Sequence, residues 1–78
     1  MKYEDILQRV IEVFKTMTDV EDITAESEII DDLEINSMDI LMMISSLEAE
    51  FKIKVPEKEM RKMAVVGDMA DIIARQLN

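Results

Sequence analysis

The chain has 78 residues, no cysteine, no histidine and a formal net charge of −9. Without cysteine there is neither a disulfide nor a thiolate metal site, and without histidine the commonest general base is missing. So large an excess of acid excludes a binder of nucleic-acid phosphates, which would need lysine and arginine to neutralise them.

With 49% hydrophobic residues there is enough apolar material for one small core, and a single Gly and Pro with few aromatics favour long helices over turn-rich β structure. We expect one domain spanning residues 1–78. No apolar run approaches the roughly 20 residues of a membrane span. The first residues, MKYEDILQRV, place acids where a signal peptide would be basic. A cytoplasmic monomer is therefore expected.

In chain order, Tyr3, Ile6, Leu7, Val10, Ile11, Phe14 and Met17 recur at three- and four-residue spacing and predict an amphipathic helix from about residue 3 to 16. From Thr18 to Asn36 the periodicity breaks. Val20, Ile23, Ile29, Ile30 and Leu33 are scattered among acids, Ser and Thr, which predicts a long loop pinned to the core. A second helix is expected from Ser37 to about Phe51, with Met38, Leu41, Ile44, Leu47 and Phe51 on one face. Pro56 restricts Val55 to extended backbone and suits the first turn of a short helix over PEKEMRKM. A last helix over about Val66–Leu77 turns Met69, Ala70, Ile72, Ile73 and Leu77 inward. The fold class is all-α: a four-helix bundle of three main helices and a short third, with a long loop between helices 1 and 2.

Charge is distributed unevenly. Residues 16–51 contain 11 of the 18 acids and no Lys or Arg, whereas the remainder has 7 acids against 9 bases. The acidic segment is either a solvated surface or a docking face for basic partners. Its carboxylates do not have the spacing of a calcium loop, and the central Gly of such a loop is absent. Asp31-Asp32 and Glu21-Asp22 read as solvated acids. No Gly-rich phosphate loop, zinc spacing or catalytic triad is possible or present, so the chain reads as a binding or carrier module and not as an enzyme.

Ser37 stands at the mouth of the second helix, in LEINSMDILMM. Serine before an apolar-periodic run is an ordinary N-cap. Asn36 is an equally good cap, and Asp39 stands three residues later, where an acid can reach back to the cap amide. If Asn36 caps, the Ser37 hydroxyl is free to point outward, where an attached phosphate would meet free amides and the positive end of the helix dipole. Local physics leaves both roles open.

The stretch SEIIDDLEINSMDILMMISSLEAEFKIKVPEKE resembles the acyl carrier proteins. Their pattern is an acid and Asp-Leu-Gly-x-Asp-Ser-(Leu/Met)-Asp, an apolar helix, Leu-Glu-x-x-Phe and an (Ile/Val)-Pro-acid segment. Ile29, Asp32, Leu33, Ser37, Met38, Asp39, Leu47, Glu48, Phe51, Val55, Pro56 and Glu57 fall in register with it. The resemblance implies that a phosphopantetheinyl transferase, using coenzyme A and Mg²⁺, places 4′-phosphopantetheine on Ser37. The arm's thiol would then carry acyl groups as thioesters, so that a cysteine-free chain imports its nucleophile. It further implies partner enzymes with basic docking patches, with Asp32, Asn36, Met38, Asp39, Leu41, Met42, Glu48 and Glu50 as candidate docking residues. Met38, Leu41, Met42 and Ile44 would flank the partner-facing side or the acyl cavity.

The departures from the pattern are local. Glu34 stands where the family has Gly, so positive φ is harder to adopt there, and Asn36 replaces an Asp. Met42 stands where a recognition Glu is common. Lys58, Arg61 and Lys62 make the third helix basic. These departures point to a specialised free-standing carrier of a fatty-acid or related secondary pathway. An aminoacyl, peptidyl or polyketide carrier would use the same handle, and an unmodified acidic helical adaptor is the rival from another class.

Overall fold

In the computed structural model, which describes residues 1–77, the chain forms α1 (Tyr3–Lys15), α2 (Ser37–Phe51), α3 (Glu57–Lys62) and α4 (Val66–Leu77). In α1 the four-residue spacing of Ile6, Val10 and Phe14 lines them up on one face, and all three are fully buried. Removal of each such side chain from water contributes roughly 1.5–3 kcal/mol. Glu4 and Asp5 in the first turn and Lys15 in the last complement the helix dipole. That face packs chiefly against α4, whose Val66, Met69, Ala70 and Ile73 are likewise fully buried.

α2 completes the core with Met43, Ile44 and Leu47. The expected inner face differs here: Met38 and Leu41 are exposed, and Met43 takes the buried place. Apolar side chains occur all round the first three turns of α2, so periodicity alone could not orient it. Leu77, expected inward, and Tyr3 are only partly covered, at 39% and 40% exposure, each standing at the very end of its helix.

The connection between α1 and α2 is held in place by non-local bonds. Of the scattered apolar residues, Ile23, Ile29 and Leu33 are buried, whereas Val20 and Ile30 are exposed; Ile35 is a further buried anchor. Glu28 forms an isolated antiparallel bridge with Val65. Beside it the Ile29 N–H donates to Ala64 O at 3.0 Å, the Val66 N–H to Ser27 O at 3.0 Å and the Gly67 N–H to Ala25 O at 2.8 Å. The last contact needs glycine, since a Cβ at residue 67 would lie 3.0 Å from Ala25 O and 3.2 Å from Ala25 Cβ. The Asp68 carboxylate accepts from the Ala64 and Val65 amides and so caps the start of α4. The segment before α2 is thereby fixed to the segment before α4.

Candidate functional site at the start of α2

Residues 28–35 form a tight turn that delivers the chain into α2. The Leu33 N–H donates to Glu28 O at 3.1 Å, the Glu34 N–H to Ile30 O at 3.1 Å and the Ile35 N–H to Ile29 O at 3.3 Å. Such a turn is closed by a residue in the left-handed region. Glu34 occupies that place with φ of 55°. The position that favours glycine therefore adopts positive φ with a glutamate in it, at a conformational cost of roughly 1–2 kcal/mol. Asp32, a candidate docking residue, accepts from the Glu28 amide at 2.8 Å and stabilises the same turn.

Ile35 is buried and anchors the exit of the turn. The next residue, Asn36, is the N-cap of α2 in extended backbone, and its side-chain oxygen accepts from the Asp39 N–H at 2.9 Å. The reciprocal bond, from the Asn36 N–H to the Asp39 carboxylate, is not formed among the described residues. Ser37 is thus the first helical residue and is exposed, and no hydrogen bond engages its hydroxyl among the described residues. Of the two roles open in the sequence, capping belongs to Asn36.

Ser37 lies on the rim of a cleft of about 670 Å³ between α2, α3 and the 28–31 turn. Ile29, Ile30, Ile40, Leu41, Ile44, Met60, Met63 and Ala64 give it an apolar lining. Glu28 and Asp31 form one charged lip, and Arg61, paired with Glu57 at 2.8 Å, forms the other. A hydrogen bond with the Asp31 carboxyl, and then the negative charges of Asp31 and Asp32, hold the Glu28 carboxyl above its ordinary pKa.

The candidate residues divide into two groups. Asp32, Asn36, Met38, Asp39, Leu41 and Met42 cluster around Ser37, with Met38 and Met42 on open surface and Leu41 and Ile44 on the cleft. Glu48 and Glu50 lie far along α2, roughly 16–20 Å from Ser37 at the helical rise. Their carboxylates are already engaged: Glu48 accepts from the Val55 amide at 2.8 Å, and Glu50 pairs with Arg9 at 2.5 Å. Sequence reasoning passed over Met60, Met63 and Arg61 as cleft residues. The three-residue spacing of Met60 and Met63 was the available signal, but α3 has only six residues, none buried, and ends before Met63, so periodicity has little to work on.

The residues present fit a phosphopantetheine group attached to the serine. An alcohol free of hydrogen bonds stands in the first turn of a helix, where a phosphate diester would face unpaired amides, and an apolar cleft lies next to it. No side chain nearby could act as a catalytic base of the histidine or cysteine kind. An exposed serine hydroxyl beside an apolar cleft is the arrangement of a carrier's attachment point.

Comparison with known proteins gives the class a family. Residues 4–73 match the phosphopantetheine attachment site family. The chain is 32% identical over 71 residues to the acyl carrier protein of Wolinella succinogenes, covering 91% of both chains. It is also 32% identical over 76 residues to that of Thermotoga maritima, covering 95% of this chain and 94% of the relative. The solved acyl carrier protein of Enterococcus faecalis superposes with a TM-score of 0.82 at 28% identity, covering 96% of this chain and 98% of that one. The chain belongs to the acyl carrier protein family, whose members carry a covalent 4′-phosphopantetheine group and interact with a phosphopantetheinyl transferase and acyl-handling enzymes.

Proposed function

We propose that Ser37 is the attachment point of the phosphopantetheine arm and that the chain delivers acyl thioesters to enzymes of a fatty-acid or related secondary pathway. One observation carries this reading: Asn36 caps α2, which leaves the Ser37 hydroxyl exposed and unbonded at the rim of an apolar cleft. When bound, the group supplies a thiol that the chain itself lacks. The chain's own residues then have three tasks. Asn36 and the 28–35 turn hold Ser37 outward, the first-turn amides of α2 face the phosphate, and the cleft offers apolar cover to cargo. We read residues 1–78 as one carrier domain, monomeric and cytoplasmic.

Docking belongs to the same end of α2. Met38, Leu41 and Met42 form an exposed apolar ridge, and Asp32, Asp39 and Asn36 give it a polar border. With no base between residues 16 and 51, this face suits an enzyme whose active-site entrance is rimmed by Lys and Arg. Glu48 and Glu50 add to the negative field from the distal half of α2. The experiment is transfer from coenzyme A by a broad-specificity phosphopantetheinyl transferase with Mg²⁺, read by intact mass. The wild type should gain the phosphopantetheinyl mass and Ser37→Ala should not. An unchanged wild-type mass beside a loaded control carrier would leave the acidic adaptor as the better reading.

A further inference from the structure

Of the eight methionines, three are open to solvent: Met1 at the N-terminus, at 69% exposure, and Met38 and Met42 on α2, at 73% and 61%. Four residues apart, the last two share one face of α2 one turn apart, next to Ser37. Met43 and Met69, by contrast, are fully buried in the core. A thioether left in water adds nothing to the core, whereas flexible methionines suit an adaptable apolar contact. Exposure also governs attack by oxidants, so Met38 and Met42 are far more open to oxidation than the core methionines, and of the three exposed methionines they are the two beside Ser37. Asp31, Asp32, Glu34 and Asp39 lie in the same stretch of chain as the ridge, and residues 16–51 contain no base; the one base on the adjoining cleft, Arg61, is paired with Glu57. The occupant this surface fits is therefore an enzyme with an apolar recess inside a basic rim.

We propose that Met38 and Met42 form a reversible oxidation site that disengages the carrier from its partner enzymes. This rests on the docking reading given above. A peroxide delivers one oxygen to the thioether sulfur: the S–O bond forms, the O–O bond breaks, two electrons pass from sulfur to the peroxide, and water leaves. Methionine sulfoxide reductases reverse the change, with two thiols supplying the electrons and the oxygen leaving as water. Each sulfoxide puts a strong hydrogen-bond acceptor on the ridge, which an apolar recess on the partner cannot satisfy. Because Met43 and Met69 are shielded, the bundle itself survives.

The test treats the full chain with hydrogen peroxide and maps the sites by peptide mass spectrometry. Transferase loading from coenzyme A with Mg²⁺ is then measured before oxidation, after it and after reductase treatment. Met38 and Met42 should oxidise well before Met43 and Met69, and kcat/KM for loading should fall roughly 10–100-fold. Far-UV circular dichroism should be unchanged and the reductases should restore the rate. In a Met38→Leu/Met42→Leu chain, whatever its starting rate, peroxide should leave loading unaltered. Equal loading by a chain carrying both sulfoxides would overturn the inference while leaving the attachment reading intact, as would loss of helix in step with oxidation. Failure of the untreated chain to load would overturn both readings.

Discussion

The side-chain oxygen of Asn36 accepts the Asp39 N–H at 2.9 Å, and this one bond separates the capping of α2 from the chemistry at Ser37. Its removal should be a stability effect and not a chemical one. Asn36→Ala is expected to cost about 1 kcal/mol, the usual value of a lost N-cap. Ser37→Ala, at an exposed position with no bond to lose, should fall within about 0.5 kcal/mol of wild type. Urea unfolding of the two variants checks the pair. A loss at Ser37→Ala equal to that at Asn36→Ala would mean that serine shares the cap.

Glu34 holds φ of 55°, in the region that glycine enters freely. Glu34→Gly should therefore leave the protein as stable or raise its stability by up to about 1 kcal/mol, relief of strain being partly offset by a more flexible unfolded chain. Thermal unfolding measures it. Clear destabilisation would show that the glutamate side chain makes a stabilising contact. Lys52 closes α2 with φ of 57° and its N–H bonded to Glu48 O, so Lys52→Gly should behave the same way.

Gly67 gives the opposite sign. In an ordinary helix Gly→Ala stabilises by about 1 kcal/mol. Here the added Cβ would come within 3.0 Å of the Ala25 carbonyl oxygen and disturb the bond from the Gly67 amide. Gly67→Ala should destabilise by about 1–3 kcal/mol, with the loop before α2 loosening first. Hydrogen exchange of the Gly67 and Ile29 amides reports that loosening directly.

The raised pKa of Glu28 makes a pH prediction. The folded state holds the Glu28 proton more tightly than the unfolded chain, so this contribution to stability is complete below the unfolded carboxylate pKa. It is lost as pH rises through the higher folded value. Stability at low salt should therefore fall over that interval, and Glu28→Gln should flatten the fall. Added salt should flatten it too, by screening the charges of Asp31 and Asp32. Thermal melts across the acid-to-neutral range would detect the slope, and a variant as pH-sensitive as wild type would contradict it.

Local pattern carried much of this fold. Ile6, Val10 and Phe14 announced α1, and the run from Val66 announced α4, because each is amphipathic with one clear apolar stripe. α2 was located by its cap and length, yet its rotation was not legible, since Met38, Leu41, Met42 and Met43 offer apolar side chains in every direction. Its packing against α1 decides that Met43 is inside and Met38 outside. The loop could be read as unperiodic and pinned to the core, but not by what. Its order comes from backbone pairing with residues 64–67, contacts between segments some 40 residues apart that no local window contains. The cleft was hidden for the same reason, because α3 supplies one wall without burying a residue of its own.

The central claim is that one serine of four bears the arm. Ser27, Ser37, Ser45 and Ser46 all lie between Lys15 and Lys52, with no Lys or Arg in between, so trypsin leaves them on a single peptide. The decisive measurement is electron-transfer fragmentation of the loaded chain, which breaks the backbone between them while keeping the labile phosphodiester. The account predicts that every fragment containing Ser37 carries the phosphopantetheinyl mass and that fragments with only Ser27, or only Ser45 and Ser46, do not. The added mass on any of those three serines, with Ser37 bare, would contradict it.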